Sequence, residues 1–140
     1  MNIVDEFWIL NFDGVPLFHY SPTEEPDYEL ISSFFSAIQS FAREITGDLK
    51  ESFIHQISLG NANFIFLANQ NYQLYFVSKT PLKIKENQVN SHLKEIETMF
   101  LEDFKNDLST YEGDVTIFEK FKEKFKTYFN NNFIKLKGMW

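Results

Sequence analysis

The sequence predicts an α+β fold whose elements run β-β-α-β-β-β-α-α, and three observations carry that reading. Two strand-like runs flank an Asp13-Gly14 turn near the N-terminus. One uninterrupted apolar stripe of helical period then fills residues 27–46. Three more strand-like runs, separated by Gly60-Asn61 and by Asn69-Gln70-Asn71, precede two further amphipathic stripes. The connections between neighbouring strands are short, so a five-stranded antiparallel sheet is expected.

Phe7 to Phe12 is apolar on both alternating faces except at Asn11, the pattern of a central strand covered on both sides. Asp13-Gly14 suits a tight hairpin whose two turn positions need positive φ. The next strand, Val15 to Tyr20, contains Pro16, which cannot donate to a ladder, so it belongs at a sheet edge; Pro22 and Pro26 end it. Among the later strands, Glu51 to Leu59 alternates Phe53, His55, Ile57 and Leu59 against polar residues and is expected at the other edge. Phe64 to Leu67 is continuously apolar and belongs inside, and Tyr72 to Ser78 follows, with Pro81 closing the sheet.

The first helix carries Leu30, Ile31, Phe34, Phe35, Ile38, Phe41, Ala42 and Ile45 as its expected buried stripe and stops at Gly47. Its other face, Ser32, Ser33, Ser36, Gln39 and Ser40, is small and nearly uncharged, which would let another backbone approach closely. A long helix from about Ile84 to Leu108 should bury Val89, Leu93, Ile96, Phe100 and Phe104. Thr116 and Glu119 form a capping-box pattern for a last helix burying Phe118, Phe121, Phe125, Tyr128 and Phe129. Of the 17 phenylalanines, Phe34, Phe41, Phe66, Phe100 and Phe121 are expected to be largely buried. No linker, repeat or low-complexity segment divides residues 1–140, so one domain is expected.

Net charge is -7, which repels phosphate and argues against nucleic acid as a partner. The charge is uneven. Glu24, Glu25, Asp27 and Glu29 form an acidic stretch, while Lys120, Lys122, Lys124, Lys126, Lys135 and Lys137 make the C-terminal part basic, as a solvated helix face or a contact for an anionic membrane or acidic partner. No run approaches the roughly 18 apolar residues of a membrane span, and Asp5 and Glu6 precede the first apolar run where a signal peptide would be basic. A cytoplasmic location is expected, with any membrane contact made through a partner.

Signatures of chemistry are lacking. There are no cysteines, which removes thiolate chemistry and disulfides. His19, His55 and His92 have no ligand spacing, so no metal is expected. The carboxylate pairs Glu24-Glu25 and Glu102-Asp103 suit solvated surface better than acid-base work. The five glycines are scattered singly and form no phosphate loop, so the chain is not expected to bind GTP itself. No catalytic residue and no cofactor is assigned. The expected partner surface is instead the strand edge bearing Pro16, Phe18 and Tyr20 with the adjacent helix face of Ser32, Ser33, Ser36, Gln39 and Ser40. A charge placed at Ser36 is expected to leave the monomer's stability nearly unchanged.

The element order, with FWILNFDGVPLFHYS and LISSFFSAIQSFAREITG, resembles the longin domain over nearly the whole chain, and resembles archaeal longin-like proteins found beside small GTPases. The resemblance implies a three-layer α/β/α, profilin-like architecture, with one helix on one face of the sheet and two on the other. It also implies a non-enzymatic adaptor or regulatory subunit for small GTPases or vesicle-mediated transport, pairing with itself or with another longin or roadblock protein. A roadblock domain begins with a helix, for which about six residues before the first strand are too few. SNARE longins continue into a heptad segment and an anchor, which a chain ending at Trp140 is expected to lack. A PAS- or profilin-like small-molecule sensor is the alternative; it would need polar groups on inward positions, and the expected inward stripe of the first helix is apolar.

Overall fold

The computed structural model describes residues 3–21, 28–47, 53–111 and 113–133, with the side chains of residues 28–32 excepted. Glu24, Glu25, Asp27, Lys135 and Lys137 fall outside that description, as does the side chain of Glu29. The strands are β1 (Glu6–Asn11), β2 (Pro16–Tyr20), β3 (Gln56–Leu59), β4 (Ala62–Asn69) and β5 (Leu74–Pro81). The helices are α1 (Tyr28–Ile45), α2 (Glu86–Ser109), a 3-10 turn η1 (Thr116–Phe121) and α3 (Lys122–Asn132). Their order is the expected one.

All strands join one sheet in the order β2-β1-β5-β4-β3, antiparallel at every step. The second and third strands of the chain thus lie at the two edges, and α1 carries the chain from one edge to the other. Phe7, Trp8, Ile9 and Leu10 are fully buried because β1 is central and covered on both faces. Their alternation divides the core. Phe7 and Ile9 face α2, η1 and α3, while Trp8 and Leu10 face α1. One helix therefore covers one face and the C-terminal helices the other.

The hairpin departs from the expected two-residue turn. Asn11 and Val15 close a three-residue loop, Phe12 to Gly14, through the Asn11 N–H and the Val15 carbonyl at 3.0 Å. Among the described residues Gln73 is the one non-glycine at positive φ, so Gly14, at φ 90, supplies the left-handed residue without help from Asp13. The Asn11 side chain accepts from the Asp13 and Val15 N–H groups at 3.0 and 2.9 Å, which fixes the loop locally.

β3 is shorter than expected: residues 53–55 are irregular, and residues 51–52 lie outside the description. The last helix also begins differently. The Asp114 carboxylate, not a Thr116–Glu119 box, accepts from the Thr116 N–H and hydroxyl, at 3.0 and 2.7 Å. Those two hydrogen bonds hold its pKa below the ordinary carboxylate value.

The larger core is aromatic. Phe100 and Phe104 on α2 meet Phe118 and Phe121 on η1, and Phe121 and Phe125 reach Phe18 on β2. Phe100, Phe121 and Phe66 are buried as expected, at 0%, 1% and 2% exposure. Phe34 and Phe41 are not: they are 47% and 54% exposed, and Ile45 is 71% exposed.

Candidate functional site

α1 sits on the sheet with its polar side down. The Ser36 hydroxyl donates to the Phe12 carbonyl at 2.6 Å. The Gln39 side chain, with no exposure, pairs with the backbone of Ile54 as another strand would, donating to its carbonyl at 2.9 Å and accepting from its N–H at 2.8 Å. Arg43 donates to the Tyr75 hydroxyl at 3.0 Å, with its guanidinium 5.7 Å from the Phe12 ring centre and 5.6 Å from that of Phe53. Burial raises the Tyr75 pKa, and the bond and charge of Arg43 offset part of that rise. Phe35 alone of the described large apolar residues of α1 is fully inserted, against Trp8, Phe64 and Phe66.

The reason lies in what the sheet offers. The core beneath α1 is small, and its rim presents backbone groups at Phe12 and Ile54 that an apolar helix face would leave without partners. Ser36, Gln39 and Arg43, spaced by three and four, supply those partners on one side of the helix. Phe34, Ile38, Phe41 and Ile45 then occupy an arc of roughly 60° on the other side. Ile38 is half-buried and the other three are exposed, so the apolar stripe seen in the sequence exists but faces outward.

This corrects the expected partner patch. Phe18 is buried at 6% exposure, and both it and Tyr20 pack on α3 through Phe125, on the sheet face opposite α1. Ser36 at 7% and Gln39 at 0% are buried structural groups, not surface. Ser33 and Ser40 are exposed, Pro16 is half-buried, and the side chain of Ser32 lies outside the description. The eight residues do not share one face. The signal that could have found the outward stripe was present: two opposed sets of helical period on α1, of which the polar set carries the groups able to satisfy buried backbone.

The two sheet edges also differ. β2 bears Pro16 and an irregular register in which Leu17 has no partner, both devices that discourage strand addition. It flanks a cleft of about 360 Å³ shared with Val115, Glu119 and Lys122. β3 reads Gln-Ile-Ser-Leu, without charge or proline, and Gln56, Ser58 and Leu59 are exposed. Among the described residues its shortness is what protects it.

Two polar clusters lie away from α1's outer face. Glu6, 4% exposed, is held between His19 at 3.2 Å and Lys79 at 3.4 Å across three strands. On the other face the Tyr128 hydroxyl donates to Glu95 and meets His92 Nδ1 at 2.7 Å, tying α3 to α2. Burial first, then the bond and charge of Glu95, push the Tyr128 pKa well above its ordinary 10.0. Because the folded value is raised, this contribution to stability is complete below the unfolded pKa and lost as pH rises through the folded one. Tyr128→Phe should therefore leave the phenolate absorbance gained near pH 10 unchanged; a drop in that amplitude would show that Tyr128 ionises like an exposed tyrosine.

Among the described residues no three His, Asp or Glu side chains form a group able to hold a metal ion, and no helix is long and apolar enough to cross a membrane. No protein-family model matches the sequence, and a search of curated proteins gives no match. Solved structures do match. MglB of Myxococcus xanthus superposes with a TM-score of 0.60 at 8% identity, over 74% of this chain and 85% of that one. The mammalian SRP receptor structure matches with a TM-score of 0.60 at 12% identity, over 94% and 96%. The Roadblock/LC7 domain from Streptomyces avermitilis matches with a TM-score of 0.52 at 13% identity, over 76% and 86%. The sheet order, the helix arrangement and these likenesses together give the chain the fold of the longin/roadblock superfamily.

Proposed function

We propose that the chain is a non-enzymatic protein-interaction module, an adaptor or regulatory subunit for small GTPases or membrane-traffic machinery. It works paired with itself or with another longin or roadblock protein. The observation that carries this reading is the outward stripe of α1, Phe34, Ile38, Phe41 and Ile45, lying above a helix already anchored by its polar side. Contiguous exposed apolar side chains on a folded domain mark a surface that another molecule covers. Protein suits this surface better than lipid. An interfacial helix has basic flanks, whereas Arg43 is engaged with Tyr75 and its exposed neighbour is Glu44. The GTPase enters through the longin resemblance and the fold, which is an argument by analogy.

The small-molecule alternative gains less from the structure. Polar groups do lie on the inward side of α1, contrary to expectation, but Ser36, Gln39 and Arg43 are bound to the protein's own Phe12, Ile54 and Tyr75. The test is direct. Small GTPases of the source organism, loaded with GDP or with a non-hydrolysable GTP analogue, should bind it with affinities that differ between the two states. Equal or absent binding across that set would remove the GTPase from the reading.

A further inference from the structure

We infer that the cleft where the β1–β2 and β4–β5 loops meet the C-terminal end of α2 binds an organic cation, the guanidinium group of an arginine. The two loops are tied together by the Phe12 N–H, which donates to the Gln73 carbonyl at 3.0 Å. With the end of α2 they enclose a cavity of about 390 Å³, whose wall includes Asp13, Asn71, Tyr72, Gln73, Ser109 and Tyr111. That volume suits one long side chain or a small molecule. No described residue of α1 lines it, so the site stands apart from the outer stripe of that helix.

Electrostatics selects the sign of the ligand. Among the described lining residues Asp13 is the one carboxylate, and there is no Lys, Arg or His. α2 ends at the cavity with Leu108 and Ser109 in its wall, and its 24 residues align a backbone dipole whose negative end has no basic residue in the last turn. An anion would meet both of these and the field of a chain of net charge -7. A bare metal ion takes several oxygen ligands, whereas the cavity offers one carboxylate, and no three His, Asp or Glu side chains of the described residues gather around an ion. Tyr72 and Tyr111 bring aromatic rings, which attract an organic cation. Gln73 points the same way by a separate route. It is the one described non-glycine at positive φ, 55°, a conformation that glycine adopts at no steric cost. The backbone alone would therefore favour glycine. What glutamine adds is a side-chain amide at the cavity wall, and strained backbone of this kind collects where a ligand is held. The Asp13 carboxylate and the amide oxygens of Asn71 and Gln73 are acceptors suited to the planar fork of donors that a guanidinium presents.

The test is amide NMR of the full chain, titrated with N-acetyl-arginine methylamide. Saturable shifts should appear at Asp13, Gln73 and Ser109, with an affinity in the millimolar range expected of so small a ligand, and they should weaken as salt is raised, because Asp13 is exposed. The citrulline analogue has nearly the same shape without the charge and should bind at least about fivefold more weakly. Asp13→Asn and Gln73→Gly should each lower the affinity by a similar factor while keeping the spectrum of the folded chain, since the first position is exposed and glycine accepts the backbone of the second. If either variant fails to fold, the comparison of arginine with citrulline on the wild type still decides. Absent or unsaturable shifts at the cleft, equal binding of the citrulline analogue, or two folded variants that bind as the wild type does would each overturn the inference. Free arginine separates the two sources of the group. Tighter binding than the blocked derivative supports a small-molecule ligand that also uses its own amine and carboxylate; equal or weaker binding supports an arginine side chain carried by a partner protein.

Discussion

Phe125→Ala should lower the unfolding free energy by about 3–5 kcal/mol, the range for removing a buried large aromatic. Its ring lies 4.6 Å from that of Phe7 in a stacked arrangement, and it meets Phe18 and Tyr20 at 5.4 and 5.3 Å. It also touches Phe121 and Phe129 in the helical segment that carries it. One side chain thus holds α3 against both β1 and β2. The surrounding rings belong to elements fixed by sheet pairing or by their own helix, so they cannot close over the space, and the cavity term should be felt in full. Urea unfolding followed by circular dichroism gives the number. A loss under about 1 kcal/mol would mean that the aromatic cluster repacks freely and is not what seats the last helix.

How much of this was legible follows from which constraints are local. The burial of Phe7 to Leu10 on both faces could be read because a central strand must be apolar at every position. Pro16 identified an edge strand because a missing N–H is a property of the residue and not of its surroundings. The stripe on α2 faced inward as read, since Val89, Leu93, Ile96, Phe100 and Phe104 meet a wide apolar sheet face. α1 was different. Its period was legible, but the choice between its two faces depended on what residues distant in sequence would present to it. Nothing near Gln39 in the chain announces that the Ile54 backbone needs a partner fifteen residues away. The start of the last helix failed for a smaller reason. Asp114 competes with Thr116 as the capping group, and its carboxylate won both hydrogen bonds. The expected patch at Phe18 and Tyr20 required the outer face of an edge strand to be free, whereas α3 lies along it.

The orientation of α1 yields a pair of substitutions with opposite outcomes. Ser36→Arg, expected from sequence to be neutral, should instead cost roughly 2–4 kcal/mol. The position is 7% exposed, so a guanidinium and its stem must be forced between helix and sheet, and the Phe12 carbonyl loses the hydroxyl that donates to it. Overpacking and an unsatisfied buried acceptor each cost about 1–3 kcal/mol, and the long side chain can recover part of the sum by reaching toward water. Phe41→Arg, expected from sequence to remove a core residue, should change monomer stability by about 0.5 kcal/mol or less, because its ring is 54% exposed and faces away from the sheet. Both should be measured in dilute protein, where self-association adds nothing to the apparent stability. In association measurements with the proposed partner the order should invert, with Phe41→Arg weakening binding the more. If Phe41→Arg unfolds the monomer while Ser36→Arg is silent, α1 lies on the sheet by its apolar stripe after all, and the docking surface built on that stripe disappears with it.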